Sequence, residues 1–325
     1  MPYAEPAHRL IEGPAGPVHV VEQGSGPLVL LVHGFPETSS SWRHQLPALA
    51  AAGYRAAALD VRGYGRSAAP DDPAAYRMLD LVEDNAAVVR ALGADRAVVV
   101  GHDWGSPIAA NTALVRPELC AGVGMLGVPY GPRGPVRPGE AFAGIGGDEE
   151  FYVAYFQEPG RAEAEIAPDV RSWLGGFYAA LSADTMAHDG PSPFFVPRGA
   201  RMADRFPAVP PLPSWLTDAE LDARATEFGR TGMTGALNRY RNVDRDWQDL
   251  APWDGAPLTH PALYVAGALD ASTRWLADAV DAFPKTVPNL HAAQLLDGCG
   301  HWVQQERPDE VNRLLVEWLD TLDLD

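Results

Sequence analysis

Short apolar runs alternate with segments of helical periodicity along this chain, and no other feature constrains its fold as strongly. Seven runs have the length and composition of strands: 18–22, 28–33, 56–60, 97–101, 123–128, 263–267 and 293–296. Helical patterns occupy 39–52, 78–92, 104–116 and 308–322. Several strands are continuous Val and Leu runs, as expected for strands buried on both faces. The alternation predicts an α/β fold with a mostly parallel sheet between two layers of helices.

The alternation stops in the middle of the chain. Residues 129–140 are rich in Gly, Pro and Arg and have the composition of a linker. The region that follows is mostly helical in pattern, and Thr217 with Glu220 matches a capping box before one of its helices. We therefore expect a core built from both ends of the chain, with a helical cap inserted between two strands. The expected boundaries are 1–130 and 248–325 for the core and 131–247 for the cap.

Charge and composition exclude several classes of partner. The 325 residues carry a formal net charge of -18, which disfavours binding to nucleic acids and to anionic membranes. No apolar stretch approaches the ~18 residues of a membrane span, and the first residues lack the layout of a signal peptide, so we expect a cytoplasmic protein. Cys120 and Cys299 form no CxxC pair, so we expect no metal and no cofactor. The oligomeric state stays open, with a homodimer as one alternative.

A tight turn after the strand 97–101 carries the first candidate catalytic residue. The sequence Gly101-His102-Asp103-Trp104-Gly105 lies between a predicted strand and a predicted helix, the context of a nucleophile elbow. The central position usually holds Ser, but here it holds Asp103. A carboxylate that attacks a saturated carbon forms an ester that water can cleave, whereas a serine would form a stable ether. The alternative is a strand-to-helix loop in which Asp103 only caps the helix.

Two further residues complete a candidate triad. His301 follows the last predicted strand and can act as a general base, since its reference pKa is ~6.5. Asp270 follows the strand 263–267 and can orient the imidazole. Each is alone more often a loop residue, but the order nucleophile, acid, histidine is that of α/β hydrolases. All three follow carboxyl ends of predicted strands, where open α/β sheets bind ligands.

Backbone N–H groups near the turn are candidates for an oxyanion hole. His33-Gly34-Phe35-Pro36 follows the strand 28–33, so the N–H of Phe35 can supply one donor. The N–H of Trp104 can supply the other, and together they would stabilise the oxyanion formed when water attacks an Asp103 ester. For His33 we favour a structural role. Cys299 lies near His301, but Asp103 is the better candidate nucleophile.

These residues resemble the epoxide hydrolase branch of the α/β-hydrolase fold, such as the hydrolase domain of soluble epoxide hydrolases and microbial epoxide hydrolases. The resemblance spans nearly the whole chain and is carried by 33–36, 60–67, 101–105, Asp270, 300–302, and by 152–160, 162–165 and 237–242 in the cap. It implies that Tyr152 and Tyr240 are two ring-opening tyrosines, because an opening epoxide needs a proton donor. For contact with a small-molecule epoxide we expect Trp104, Phe35, Tyr155 and Trp302, although Tyr155 is the nearest alternative to Tyr152.

Two positions depart from the family pattern, and two other functions stay open. Ser106 replaces a small apolar residue or Gly, and Arg239 replaces a residue that is commonly aromatic. A haloalkane or haloacid dehalogenase can share the elbow Asp and the triad, but haloalkane dehalogenases often carry Asn where this chain has Phe35. A non-catalytic ligand-binding receptor on the same scaffold is the other alternative. A lipase or esterase is disfavoured, because the elbow lacks Ser.

Overall fold

The computed structural model describes residues 5–186, 192–206 and 211–324. Eight of its strands form one sheet, in the spatial order β1-β2-β4-β3-β5-β6-β9-β10. Their bounds are Ala7–Gly13 (β1), Gly16–Gly24 (β2), Leu28–Val32 (β3), Arg55–Leu59 (β4), Ala97–His102 (β5), Cys120–Leu126 (β6), Ala262–Gly267 (β9) and Leu290–Leu296 (β10). The strands β2 and β4 pair antiparallel, as do β1 and β2, and all other pairs are parallel. This is the α/β-hydrolase arrangement.

Continuous apolar runs explain why the central strands lie where the sequence predicts them. Every residue of β3, β5 and β9 is buried, because helices cover both faces of the sheet. The core helices are α1 (Gln45–Ala51), α2 (Met78–Ala91), α3 (Gly105–Val115), α11 (Ala271–Trp275), α12 (Ala277–Asp281), α13 (Phe283–Thr286), α14 (Val303–Glu306) and α15 (Pro308–Leu319). None of the helices described is both long and apolar enough to cross a bilayer.

Between β6 and β9, the residues that the structure describes add no strand to the large sheet. The helices of this region are α4 (Pro138–Ile145), α5 (Tyr152–Tyr155), α6 (Arg161–Ile166), α7 (Val170–Leu181), α8 (Asp218–Thr231), α9 (Thr234–Asn238) and α10 (Val243–Asp249). The capping box predicted before α8 is present, since the Glu220 N–H donates to the Thr217 hydroxyl and the Thr217 N–H donates to Glu220. Two short strands, Glu149–Phe151 (β7) and Phe195–Pro197 (β8), pair antiparallel there, which the sequence does not predict.

Two other local differences from the expected elements have simple causes. The strand β1 is missed because it is an edge strand with mostly exposed side chains, and it therefore has no apolar run. The predicted helix 39–52 is divided into a 3₁₀ turn at Ser39–Trp42 and α1. Proline is tolerated only in the first turn of a helix, so Pro47 is compatible with a helix that begins at Gln45 but not with one that begins six residues earlier.

Candidate active site

The turn between β5 and α3 holds Asp103 in an unusual backbone conformation. Asp103 has φ 50°, and no other non-glycine residue among those described has a positive φ. A Cβ on Gly101 would lie 1.9 Å from the carbonyl oxygen of Gly105, and one on Gly105 would lie 1.9 Å from that of Val32. The flanking glycines are therefore sterically required. A strained residue held this firmly is typical of a functional site, since the surrounding structure must offset its cost.

Asp103, His301 and Asp270 converge at the carboxyl end of the sheet. The Nε2 atom of His301 lies 3.6 Å from Oδ2 of Asp103, and its Nδ1 lies 3.0 Å from Oδ2 of Asp270. Asp270 also accepts hydrogen bonds from the N–H and the hydroxyl of Ser272, at 3.0 and 2.6 Å. The carboxylate of Asp270 thus fixes the orientation of the imidazole, and Nε2 faces Asp103.

The three groups shift one another's protonation. Burial opposes the charged form of His301, but Asp270 and then Asp103 favour it, and the net effect raises its pKa to about 9. Burial also opposes the charged form of Asp270, yet His301 and Ser272 outweigh it, so the pKa of Asp270 is lowered. Burial raises the pKa of Asp103 against the opposing effect of His301. The imidazole is therefore held as a cation between the carboxylates of Asp270 and Asp103. Asp103 remains available to attack a substrate.

The expected oxyanion-hole donors lie against the nucleophile. The N–H of Phe35 donates to Oδ1 of Asp103 at 2.8 Å, and the N–H of Trp104 favours the ionised carboxylate. Gly34 permits this approach, because a Cβ there would lie 2.3 Å from Oδ1 of Asp103. His33 is structural, as expected: its Nε2 accepts from the N–H of Val61 at 2.9 Å. The Cys299 thiol is fully buried, and burial raises its pKa far above the usual range.

A cavity of about 560 Å³ extends from Asp103 between the sheet and the helices that lie beyond β6. Tyr152 and Tyr240 both line it, with ring centroids 5.8 Å apart. Burial raises the pKa of both phenols, so they stay protonated at neutral pH. Phe35 and Trp104 line the same cavity, as predicted for substrate contacts. The cavity therefore combines a carboxylate nucleophile with two hydroxyl donors.

Two residues predicted to contact substrate lie elsewhere. Tyr155 does not line the cavity: its hydroxyl donates to Glu165, and the guanidinium of Arg161 stacks 4.0 Å from its ring centroid. Trp302 is fully buried behind His301, and its indole N–H donates to the carbonyl oxygen of Tyr178 at 3.1 Å. We correct both expectations, since Tyr155 binds Glu165 and Arg161 outside the cavity and Trp302 packs against the imidazole.

Comparison with known proteins identifies the family to which this chain belongs. The family model described as the alpha/beta hydrolase fold matches residues 27–308. "Epoxide hydrolase A" of Mycobacterium tuberculosis is 41% identical, with 98% of this chain and 99% of the relative covered. The chain belongs to the epoxide hydrolases. The solved structure "Epoxide hydrolase from an endophytic Streptomyces" is 67% identical to it, with a TM-score of 0.95 and 97% and 95% of the two chains covered. Epoxide hydrolase A from Mycobacterium thermoresistibile is 43% identical, with a TM-score of 0.92 and 98% and 100% covered.

This epoxide hydrolase also contains a second buried carboxylate–imidazole pair that sequence reasoning missed. Nδ1 of His102 lies 2.7 Å from Oε2 of Glu37, and Nε2 of His102 lies 2.9 Å from the carbonyl oxygen of His301. The other oxygen of Glu37 accepts hydrogen bonds from the side chains of Gln304 and Gln305, at 3.1 and 2.8 Å. The signal available in the sequence was His102 itself, which lies inside the elbow motif and directly before the nucleophile.

Hydrogen bonds surround both members of this second pair. Glu37 is surrounded by donors, and His102 is foremost among the groups that lower its pKa, to about 2, against the effect of burial. Both nitrogens of His102 face acceptors, a carboxylate and a carbonyl oxygen, so neither is open to substrate or water. His102 lies behind Asp103 and favours the ionised nucleophile. Its contact with the backbone of His301 also fixes the loop that carries the base.

The two departures from the family pattern act outside the cavity of this epoxide hydrolase. The hydroxyl of Ser106 donates to the carbonyl oxygen of Val128 at 2.5 Å. The guanidinium of Arg239 is buried, lies 4.8 Å from the ring centroid of Trp104 and pairs with Asp246. Neither residue lines the cavity, so Arg239 affects the site through the indole that it supports.

Proposed function

We propose that this chain converts a neutral, largely apolar epoxide and water into a vicinal diol through an ester on Asp103. The observation that carries the proposal is a carboxylate at a strained turn, with an imidazole 3.6 Å away and two phenols in the same cavity. A carboxylate attacks the carbon, the phenols serve the departing oxygen, and the imidazole activates water. Each step of epoxide hydrolysis therefore has a group in reach.

In the first step one oxygen of Asp103 attacks an epoxide carbon and the carbon–oxygen bond of the ring breaks. The N–H of Phe35 holds Oδ1, so the oxygen that faces His301, Oδ2, is the attacking atom. Tyr152 and Tyr240 donate hydrogen bonds to the oxygen that leaves, and one of them protonates it. The products of this step are the alkyl ester and a hydroxyl group on the neighbouring carbon.

Formation of the ester then lowers the pKa of His301, the base that must hydrolyse this ester. Ester formation removes the negative charge of Asp103, which is one of the groups that raise the pKa of His301. The imidazolium therefore releases its proton more readily, which restores the phenol and leaves Nε2 free. Asp270 keeps the neutral imidazole in the tautomer that accepts a proton at Nε2, since Nδ1 donates to its carboxylate.

In the second step His301 takes a proton from water, and the hydroxide attacks Cγ of Asp103. The negative charge develops on Oδ1, where the N–H groups of Phe35 and Trp104 stabilise it. Collapse of this intermediate breaks the bond between Cγ and Oδ2, and the proton on His301 passes to the departing diol. One enzyme oxygen leaves with the product, and one oxygen from water remains on Asp103 as a carboxylic acid. Its proton passes to His301, which restores the carboxylate and the imidazolium.

The cavity wall supports a neutral substrate. Its described lining residues include Asp103, Asp270 and His301 but no Lys or Arg, so an anionic substituent inside would meet no cation except the imidazole. Aromatic and aliphatic side chains form the rest of the wall, which suits apolar aryl or alkyl groups. No cofactor takes part in the proposed cycle. We also propose a cytoplasmic location and leave a homodimer as one assembly to test.

The test is a single turnover in water labelled with oxygen-18. With enzyme in excess over styrene oxide, the first diol should carry one unlabelled oxygen from Asp103, and labelled oxygen should remain on the enzyme. One oxygen of the diol comes from the epoxide by any route, so solvent label in the other, newly added hydroxyl of the first diol would refute the ester route. Asp103→Asn should form neither ester nor diol, and its circular dichroism and melting temperature check that it folds.

The same assay separates the rival functions. Halide release from haloalkanes without diol formation from epoxides would favour a dehalogenase. Binding of epoxides without turnover would favour a receptor. The two phenols in the cavity and the complete triad geometry support the hydrolase over both, because halide release needs no proton donor and a receptor needs no base.

A further inference from the structure

Trp275 makes an aromatic contact across the cavity that the catalytic cycle above does not use. It ends α11, the helix that begins after Asp270, and it is 44% exposed at the cavity wall. Its ring packs edge-to-face against Phe194, Phe151 and Phe195, with centroids 4.8, 5.5 and 6.0 Å apart. Leu276 beside it is 36% exposed, so the end of α11 presents two adjacent apolar side chains at the cavity.

The three phenylalanines lie around the backbone and the ring of Tyr152. Phe151 and Phe195 are paired across β7 and β8, and the N–H of Tyr152 donates to the carbonyl oxygen of Phe194 at 2.8 Å. The Tyr152 ring lies 4.7 Å from that of Phe151 and 5.2 Å from that of Phe194. We call Trp275, Phe151, Phe194 and Phe195 the aromatic clasp. Every phenylalanine of the clasp therefore contacts Trp275, and two of them also contact Tyr152.

The two cavity tyrosines differ in how the core holds them. Tyr240 packs directly on Phe35 and Trp104, with ring centroids 5.2 and 5.3 Å apart, so residues that flank the nucleophile fix it. For Tyr152, the ring contacts among the described residues are with Phe151, Phe156, Phe194 and Tyr240, all of which lie between β6 and β9. Phe156 and Tyr240 link Tyr152 to Phe35, from which their rings lie 5.5 and 5.2 Å, whereas the clasp links it to α11 through Trp275.

We infer that Trp275 is a positioning residue for the ring-opening step, holding Tyr152 over Asp103 through the aromatic clasp. Asp270 and Trp275 stand at the two ends of α11, so one short helix orients the base at its start and the phenol at its end. The inference rests on the proposed function. It predicts that loss of the indole slows ester formation and leaves ester hydrolysis unchanged, since Asp270 keeps its bonds to Ser272 and His301.

The experiment measures the two chemical steps separately with styrene oxide. Rapid acid quench and intact-protein mass give the rate constant for ester formation at saturating epoxide, and diol release gives hydrolysis. Trp275→Ala should slow ester formation about 10-fold, because small displacements of a positioned group reduce rates strongly. Hydrolysis of the ester should stay within about 2-fold. Trp275→Phe retains an edge-to-face ring and should recover ester formation to within about 3-fold of wild type.

A double-mutant cycle tests the route through Tyr152. In a Tyr152→Phe background, Trp275→Ala should slow ester formation less than about 2-fold, whereas in a Tyr240→Phe background it should keep its full effect. Equal effects in both backgrounds would overturn the inference and make Trp275 a simple part of the wall. An equal slowing of ester formation and of ester hydrolysis in Trp275→Ala would also overturn the inference.

Leu276→Ala is the matched comparison, because Leu276 lies next to Trp275 at the cavity but makes no part of the clasp. It should raise KM for styrene oxide while ester formation at saturation stays within about 2-fold; equal slowing by both variants would count against a clasp. If Trp275→Ala does not fold, Trp275→Leu is measured against Trp275→Phe with the same criteria. Wild type that forms no ester would refute the proposed function itself, whereas a normal wild-type ester with an unaffected Trp275→Ala would refute only this inference.

Discussion

Two carboxylate–imidazole pairs lie beside the turn that carries Asp103, with their imidazole centroids 5.0 Å apart, and they have opposite relations to the cavity. In the first, Asp270 holds His301, whose Nε2 faces the nucleophile in the cavity. In the second, Glu37 holds His102, whose Nε2 is occupied by the carbonyl oxygen of His301. Each pair joins a carboxylate to a histidine, but only the first pair has a nitrogen left for water.

A histidine acts as a base through a free ring nitrogen, and pairing with a carboxylate does not by itself make it one. Both nitrogens of His102 are occupied by protein groups, so it takes no proton from water and instead fixes the loop that carries His301. His301 is anchored at Nδ1 alone and can exchange a proton at Nε2 as the charge of Asp103 changes. We call these the sealed pair, Glu37 with His102, and the open pair, Asp270 with His301.

Removal of His301, the base of the open pair, should slow turnover the most. His301→Gln should still form the ester on Asp103, because the phenols that serve ring opening remain. Hydrolysis of that ester should fall by at least about 10³-fold, as expected when a group that acts as a unit with the nucleophile is lost. Intact-protein mass after mixing with styrene oxide should show a lasting adduct. A variant that turns over without an adduct would contradict the division between the two pairs.

Breaking the sealed pair should reduce stability more than it reduces the rate. Glu37→Gln removes the buried carboxylate that contacts His102, Gln304 and Gln305, and loss of one partner of a buried charged pair typically costs about 3–5 kcal/mol. Urea unfolding measures this cost, and ester hydrolysis should fall less than about 10-fold. Asp270→Asn is the control with the opposite expected pattern. It should slow ester hydrolysis more than about 10³-fold and should reduce stability less than Glu37→Gln does. Unfolding of Glu37→Gln within about 1 kcal/mol of wild type would show that the sealed pair is not structural.

The open pair and its nucleophile can be predicted from the sequence because each residue is marked by a motif or a strand in the adjoining stretch of chain. Asp103 is recognisable because the two glycines that its strained turn requires are its near neighbours. Asp270 and His301 are recognisable because each follows a predicted strand in a fixed chain order. The sealed pair joins residues 37 and 102, and no spacing rule connects a buried Glu on one loop to a His on another. Only packing brings them together, so the sequence alone did not predict it.

The same reasoning explains the two predicted substrate contacts that the structure corrects. Tyr152 and Tyr155 are three residues apart on the short helix α5, and the sequence does not say which faces the cavity. Glu165 decides it, because it accepts the hydroxyl of Tyr155 away from the site. Trp302 follows the base, but its indole packs behind His301. The short strands β7 and β8 were missed because three residues give no visible alternation.

The two pairs should lose their stabilising effects at opposite ends of the pH scale. The pKa of His301 is raised from 6.5 to about 9, so its contribution is complete below pH ~6.5 and is lost as the pH rises through about 9. The pKa of Glu37 is lowered from 4.5 to about 2, so its contribution is complete above pH ~4.5 and is lost as the pH falls toward about 2.

Unfolding free energies measured against pH test these opposite signs. The difference between wild type and His301→Gln should shrink by about 2–3 kcal/mol between pH 6 and pH 10. The difference between wild type and Glu37→Gln should shrink between pH 5 and pH 3. A His301→Gln difference that grows with pH would mean that the imidazole is neutral in the free enzyme, and the proposed release of its proton on ester formation would fail.

The smallest effect should come from a single hydrogen bond within the open pair. Ser272→Ala removes the hydroxyl that donates to Oδ2 of Asp270, the same oxygen that faces Nδ1 of His301, but keeps the backbone N–H bond to Oδ1. Hydrolysis of the ester should slow about 3–10-fold, and stability should fall by about 1 kcal/mol. Ser106→Ala deletes a hydroxyl that bonds to Val128 instead, so it should leave both chemical steps within about 2-fold. Because Ser272 acts only through Asp270, its effect should vanish in an Asp270→Asn background, and an additive loss there would place Ser272 in direct contact with the reacting groups.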